Sequence, residues 1–123
     1  EEQVPTETEA ENEAELKFPS KEAKFQAALI KFEELNKKYS KYPYGQIALF
    51  YLGHANYQLG NYDSALTYYQ QFEKIYKGPK DVENLIFDTL GHTFEEKGDL
   101  ANAQTFYEKI TGSEENFLKD YSY

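Results

Sequence analysis

The sequence repeats itself at a distance of 38 residues, and this periodicity constrains the fold more than any other feature. The tripeptide Leu52-Gly53-His54 recurs as Leu90-Gly91-His92. Three single residues recur at the same shift: Gly60 as Gly98, Ala65 as Ala103 and Tyr69 as Tyr107. A weaker copy lies upstream, where Ala28 and Phe32 match the same alanine and tyrosine at a shift of 37. Identities that share one period indicate a repeat protein, in which each unit buries its apolar face against its neighbours.

Each repeat contains two stretches with apolar residues at helical spacing, separated by a turn that contains glycine. This spacing places the apolar side chains on one face of an α-helix, and glycine at the helix end favours the left-handed conformation that stops it. Alternation typical of strands is nowhere sustained. The pattern predicts an all-α chain of six helices in antiparallel pairs, at residues 20–39, 44–59, 62–76, 81–97 (capped by Asp81), 100–111 and 114–123.

The recurring small residues predict how the two helices of a pair pack. Gly53 and Ala65 lie on successive helices, as do Gly91 and Ala103. A minimal side chain lets two helix axes approach toward the lower end of the usual range of about 8–10 Å. Because glycine inside a helix costs about 0.5–1 kcal/mol relative to alanine, its recurrence needs a packing reason. We expect the recurring tyrosines to fill the space toward the neighbouring pair.

Charge is concentrated at the start of the chain. Residues 1–15 contain seven Glu and no Lys, and so account for most of the formal net charge of -9. Their one sizeable apolar side chain, Val4, buries too little surface to offset the entropy that is lost on ordering. We therefore predict that residues 1–17 form a disordered acidic segment, either a solubilising linker or an interaction tail. A helical domain is predicted over residues 18–123.

The composition argues against several classes of function. The sequence has 22 acidic and 13 basic residues, and its net negative charge would repel the phosphates of a nucleic acid. The composition therefore argues against nucleic acid as a partner. No apolar run approaches the roughly 20 residues that span a bilayer, so we expect no direct membrane insertion by this segment. The absence of Cys removes disulfides, thiolate metal sites and Cys nucleophiles.

Residues suited to catalysis are scarce. The sequence has no glycine-rich phosphate motif, and adjacent glutamates on a helix point in directions about 100° apart. A metal site built from His92, Asp88 and Glu96 lacks a fourth ligand. We therefore predict a protein that is not an enzyme and that has no catalytic residues, no metal and no cofactor. Because position 1 is Glu rather than Met, we also expect that the chain was processed or trimmed and that an upstream signal or anchor is missing.

The repeated residues resemble the tetratricopeptide repeat, whose signature is W-x2-L-G-x2-Y…A-x3-F…P. Leu90-Gly91-x2-Phe94 and Ala103-x3-Tyr107 follow it closely, whereas the earlier copy has Asn56 in place of its aromatic residue. The resemblance implies helix pairs stacked as a right-handed superhelix, an α-solenoid. It implies two complete repeats, at residues 44–78 and 81–112, flanked by partial ones. The period of 38 residues, instead of the usual 34 or so, implies longer turns between repeats.

In the tetratricopeptide family the first helix of each pair lines a concave surface. The resemblance therefore implies a ligand-binding groove with two walls, one formed by Ile47, Phe50, His54, Tyr57 and Gln58, and the other by Leu85, Asp88, His92, Glu95 and Glu96. Spacings of three and four residues place each set on one side of its helix. An aromatic wall and an acidic wall suit an extended or helical peptide with apolar and basic side chains. Alternatively, the two histidines are spacers, hydrogen-bonded to their neighbours.

Two functions from different classes follow. The first is a non-enzymatic scaffold that binds a protein or peptide partner in this groove. The 38-residue spacing resembles that of repeats in bacterial envelope proteins, which implies a periplasmic or envelope location, with the cytoplasm as the alternative. The second is a structural segment that associates with itself, for example as a homodimer, through an open repeat end where Phe117, Tyr121 and Tyr123 form an apolar face.

Overall fold

A computed structural model describes residues 20–110 of the chain, and these residues form five α-helices. They are α1 (Lys21–Lys38), α2 (Pro43–Gln58), α3 (Tyr62–Ile75), α4 (Lys80–Lys97) and α5 (Leu100–Glu108). This part of the chain contains no strand, so the prediction of an all-α fold is confirmed. The predicted acidic segment at residues 1–17, the sixth helix at residues 114–123 and the end face with Phe117, Tyr121 and Tyr123 lie outside the described residues.

Local chemistry explains where the helices begin and end. The Ser20 hydroxyl caps α1 by accepting a hydrogen bond of 3.0 Å from the backbone N–H of Ala23. Gly60 and Gly98 follow α2 and α4 with φ angles of 80° and 93°, the left-handed conformation that glycine adopts without strain. The predicted cap at Asp81 is wrong, since α4 already begins at Lys80. Asp81 lies instead in the first turn, where its charge complements the helix dipole.

The two turns that join successive helix pairs are equal in length. The turn between α3 and α4 comprises residues 76–79, as many residues as the turn 39–42 between α1 and α2. The first helices of the two pairs differ, since α4 has 18 residues and α2 has 16. The expectation of longer turns than in repeats of the usual length stays a prediction. Residues 80–83 are helical because two acidic side chains complement the N-terminal dipole, and because Lys80 Nζ pairs with Glu83 Oε1 at 3.0 Å.

Successive helices pack against one another along the chain, from α1 on α2 to α4 on α5. One continuous core runs through α2 to α5, and its largest members are Leu49, Leu52, Leu66, Tyr69, Phe72, Ile86, Phe87, Leu90, Phe94 and Phe106. Leu29 and Phe32 of α1 pack against this core from one side. The helices thus form an α-helical repeat solenoid, in which each pair is held by its neighbours in sequence.

The recurring glycines accommodate the recurring tyrosines of the same pair. A Cβ atom at Gly53 would lie 2.5 Å from Cδ1 of Tyr69, and one at Gly91 would collide with the ring of Tyr107. The expectation that these tyrosines also fill the space toward the neighbouring pair stays a prediction. Each ring occupies the notch that the missing Cβ leaves on the partner helix, because this is where a large planar side chain finds room.

No helix within residues 20–110 is both long and apolar enough to cross a bilayer.

Candidate functional site

The first helices of the two pairs, α2 and α4, run in the same direction, and none of the predicted groove residues on them is fully buried. Ile47 near the start of α2 is 43% exposed, and Leu85 near the start of α4 is 57% exposed. These two aliphatic side chains occupy equivalent positions of the two repeats. Single exposed aliphatic residues are common on protein surfaces. Two of them at equivalent positions give the exposed face an apolar beginning in both repeats.

The two equivalent histidines have different surroundings. His54 places its ring edge against Phe25 of α1, with 6.2 Å between the ring centroids. Partial burial lowers the pKa of His54 below its usual value. His92 lies among carboxylates, with its Nε2 atom 3.4 Å from Asp88 Oδ2 and its Nδ1 atom 3.7 Å from Glu95 Oε1. The same position therefore meets an aromatic ring in one repeat and acidic groups in the other.

The two helices interact electrostatically at the C-terminal ends of their exposed faces. Burial raises the pKa of Tyr57, and the nearby carboxylate of Glu96 raises it further. The hydroxyl of Tyr107 donates a hydrogen bond to Glu95. Burial and this hydrogen bond both raise the pKa of Tyr107. Gln58 is half-buried beside this group of tyrosines and carboxylates. This end of the face is therefore polar and negatively charged.

Phe50 is placed differently from the other predicted groove residues. Its ring centroid lies 5.3 Å from that of Tyr69 and 5.9 Å from that of Phe72, both on α3. The side chain is half-buried and packs against the core of the first pair. Phe50 therefore lies between the exposed face and the core, and Ile47 is more accessible to a ligand than Phe50 is.

The exposed face thus changes in character along the helices. Aliphatic side chains lie at its beginning, histidines at its middle, and tyrosines with carboxylates at its end. We call this surface the recognition face and define it by Ile47, His54, Tyr57, Gln58, Leu85, Asp88, His92, Glu95 and Glu96. The sequence predicted an aromatic wall opposite an acidic wall. The structure adds the order along the helices: both begin with an exposed aliphatic residue, and α4 alone ends in carboxylates.

A pocket that sequence reasoning missed lies between the first turn of α2 and the last turn of α3. Its volume is about 590 Å³, within the range of about 300–1,000 Å³ that is typical of ligand sites. Its lining is Pro43, Gln46, Ile47, Phe72, Lys74, Ile75, Tyr76 and Lys77. The sequence feature that could have indicated this pocket is Ile75, an aliphatic residue between Lys74 and Lys77 at the end of α3. We call this cavity the lysine-rimmed pocket.

Within residues 20–110, no three side chains of His, Asp or Glu are grouped so that they could hold a metal ion. The three residues weighed for such a site, Asp88, His92 and Glu96, lie on α4.

Stacked antiparallel helix pairs and a repeated glycine notch define a helical repeat protein. Family models described as tetratricopeptide repeat match residues 46–79 and 86–117, together more than half of the chain. The chain belongs to the tetratricopeptide repeat family. The six residues between the two matches lie at the start of α4. Comparison with curated proteins and with solved structures gives no significant match. Repeats of this family are generally protein–protein interaction modules.

Proposed function

We propose that the recognition face binds a peptide segment of a partner protein, and that this segment carries apolar and basic side chains. One observation carries the proposal: Ile47 and Leu85 are exposed at equivalent positions and are followed along the same surface by three acidic residues, Asp88, Glu95 and Glu96. Apolar side chains of the peptide would cover the two aliphatic residues. Its lysines or arginines would pair with the carboxylates.

The two ends of the recognition face make different contributions. Burial of apolar surface contributes about 25 cal/mol per Å², so the aliphatic end supplies most of the affinity. Exposed charge pairs add about 0.2–1 kcal/mol each and mainly set specificity and the rate of association. The face therefore favours partners with a basic segment next to an apolar one.

The experiment is site-specific photo-crosslinking of the full chain in cell extract. A photoreactive residue replaces Leu85 on the recognition face. In the control it replaces Ile30, which is 63% exposed on α1. We expect one heterologous protein to be recovered through position 85 and not through position 30. Recovery of the same proteins through both positions contradicts the proposal.

The charge of the peptide is tested on the partner segment so recovered. The double variant Asp88→Lys and Glu96→Lys reverses two charges on the recognition face. Glu34→Lys, at an exposed position of α1, is the matched control. We expect the double variant to weaken binding by about tenfold, since each exposed pair contributes up to roughly 1 kcal/mol. Equal binding of the double variant and the control would contradict the proposed pairing between these carboxylates and basic residues of the peptide.

Self-association through open repeat ends is the competing function. It predicts that both crosslinking positions recover only further copies of this chain, and that light scattering shows a mass that increases with concentration. An open solenoid end exposes an apolar face that a second copy can cover. A monomer of constant mass that crosslinks to a heterologous protein excludes self-association as the main role.

The cellular setting that we propose is a bacterial envelope assembly. Its support is the 38-residue spacing and the acidic lead-in at residues 1–15, which would act as a tether. Fractionation of cells that express the native gene tests this setting. Recovery in the periplasmic or envelope fraction supports it, and recovery with cytoplasmic enzymes contradicts it.

A further inference from the structure

The turns between the helix pairs bring lysines together at one end of the molecule. Because successive helices are antiparallel, the turn from α1 to α2 and the turn from α3 to α4 lie at the same end. This end carries six lysines and three acidic residues: Lys37, Lys38, Lys41, Lys74, Lys77 and Lys80, with Glu73, Asp81 and Glu83. The opposite end carries four acidic residues and one lysine at the turns that follow α2 and α4: Asp63, Glu95, Glu96 and Asp99, with Lys97. A chain with a strong negative net charge thus has a basic end, and the lysine-rimmed pocket lies there.

The two lysines of the pocket have no anionic partner in the part of the chain that the structure describes. Lys80 pairs with Glu83 at 3.0 Å, and Lys97 pairs with Asp63 at 2.6 Å. Lys74 and Lys77 are exposed and form no such pair with any residue in 20–110. None of the pocket-lining residues is acidic. The pocket therefore presents positive charge that is available to a ligand.

The apolar floor of the pocket is held in place by contacts within the turn. The ring of Tyr76 packs against Phe72 with 5.8 Å between the ring centroids. Its hydroxyl donates a hydrogen bond of 3.1 Å to the carbonyl oxygen of Pro79. These contacts fix one wall, while Ile47 and Ile75 form the rest of the apolar surface. A preformed site of this kind loses little conformational entropy on binding.

The size of the pocket indicates an extended ligand. A volume of about 590 Å³ holds a few side chains. An α-helix with its side chains is about 10 Å or more across, so a helix would cover the opening rather than enter it. Most exposed acidic residues of a second copy lie on helices within residues 20–110, for example Glu34 on α1, Asp63 on α3 and Glu96 on α4. An extended segment fits the pocket better than the helical face of another copy does.

We propose that the lysine-rimmed pocket binds an extended acidic segment of a partner protein. One bulky apolar side chain of this segment lies between Ile47, Phe72, Ile75 and Tyr76, and neighbouring carboxylates pair with Lys74 and Lys77. This second docking site is distinct from the recognition face, with which it shares only Ile47. It selects the opposite charge, so that a partner can be held at both sites by segments of different composition.

The test is fluorescence anisotropy with the full chain and a labelled peptide in which one leucine is flanked by glutamates. We expect saturable binding that weakens as salt is added. The double variant Lys74→Glu and Lys77→Glu should weaken binding by at least about tenfold, since two exposed charge pairs are replaced by repulsion. The matched control is Lys31→Glu, at an exposed position of α1, and it should bind like the native chain.

The apolar part of the proposal has its own matched pair of variants. Ile75→Ser changes a residue of the pocket that is 41% exposed, and Ile30→Ser changes one that is 63% exposed on α1. Both side chains are exposed enough for the fold to tolerate the change. Only Ile75→Ser should weaken binding, and replacement of the leucine in the peptide by serine should have the same effect. Binding that is insensitive to both changes overturns the proposal.

Other occupants give different results. If a labelled peptide with the sequence of residues 1–15 binds more tightly than the leucine peptide, the pocket belongs to this chain's own acidic segment and the assignment to a partner is wrong. If light scattering shows self-association that Lys74→Glu and Lys77→Glu abolish, the occupant is a second copy. Failure of the peptide to bind leaves the recognition face unaffected, because the crosslinking at Leu85 does not depend on the pocket.

Discussion

The two helix pairs of this protein are alike where they are buried and different where they are exposed. The interior positions of α2 and α3 recur in kind in α4 and α5, as shown by Leu52 and Leu90, Gly53 and Gly91, Ala65 and Ala103, and Tyr69 and Tyr107. Among the predicted groove positions, three equivalent pairs differ: Phe50 and Asp88, Tyr57 and Glu95, and Gln58 and Glu96. The shared positions build the fold, and the divergent positions give each repeat its own surface chemistry.

The difference also extends to several buried positions, of which Asn56 is one. Asn56, 6% exposed, stands where the second repeat has Phe94. Its amide nitrogen donates a hydrogen bond of 2.9 Å to the carbonyl oxygen of Leu52 in the same helix. Phe94 stacks on Phe106, with 5.5 Å between the ring centroids. The first repeat thus keeps a polar group inside by satisfying it locally, as buried polar groups require.

The equivalence of the buried positions predicts equal losses of stability when they are truncated. Leu52 is 1% exposed and Leu90 is 0% exposed. Leu52→Ala and Leu90→Ala should each lower the free energy of unfolding by about 2–5 kcal/mol, because each leaves a cavity in the shared core. Denaturant titration measures this loss. Leu85→Ala, on the same helix but 57% exposed, should change it by no more than about 0.5 kcal/mol. A much smaller loss for Leu90→Ala than for Leu52→Ala would break the comparison.

Replacing the notch glycine by alanine should lower the free energy of unfolding more in the first pair than in the second. Gly53→Ala drives a Cβ into the ring of Tyr69, which is 2% exposed and enclosed on all sides. Overpacking costs about 1–3 kcal/mol, from which the gain in helix propensity of about 0.5–1 kcal/mol is subtracted. Gly91→Ala should cost less, since Tyr107 is only half-buried and can shift. Thermal unfolding of both variants tests the order, and the loss for Gly53→Ala should shrink in a Tyr69→Leu background.

The hydroxyl groups of the two equivalent tyrosines should contribute unequally. Tyr107 donates a hydrogen bond to Glu95, whereas Tyr69 forms none with another residue in 20–110. Tyr107→Phe should therefore lower the free energy of unfolding by about 0.5–1.5 kcal/mol, and Tyr69→Phe by less. Chemical denaturation of the two variants side by side is the measurement. A larger loss for Tyr69→Phe would contradict the assigned hydrogen bond.

The smallest predicted effect concerns the pH dependence that His54 confers. Burial against Phe25 lowers the pKa of His54 in the folded state, so the unfolded chain binds its proton more readily. The contribution of this residue to stability is fully present above pH 6.5 or so and is lost as the pH falls through that value toward the folded pKa. The stability of the His54→Gln variant should decrease less between pH 8 and pH 5 than that of the native chain. Identical curves would show that the contact with Phe25 does not bury the ring.

Much of the fold could be predicted because it depends on local patterns. Each of the five described helices begins within one residue of its predicted start, since apolar spacing and glycine stops are properties of neighbouring residues. The period of 38 residues did not itself show how the residues are divided between helices and turns. In the structure, α4 begins at Lys80, and the charges of Asp81 and Glu83 in its first turn complement the helix dipole.

The candidate site could be predicted only in part. The helical spacing placed the groove residues on one side of α2 and α4, but it did not show that Phe50 turns toward α3 while Ile47 remains accessible. Which residue of a half-exposed stripe is buried depends on the neighbouring helix. The lysine-rimmed pocket was missed for the same reason, because its two walls lie far apart in the sequence.

The sequence by itself determined the class of this protein, since a repeated pattern of small, apolar and turn residues specifies helices, their pairing and their repetition. The tertiary structure alone decided that Tyr69 and Tyr107 fill the notches at Gly53 and Gly91. It alone decided that an apolar pocket is rimmed by two lysines that have no anionic partner within residues 20–110. The physical reason is the separation in sequence between the residues that interact. Helix formation follows from interactions within a few residues, whereas a notch or a pocket exists only after distant surfaces have packed together.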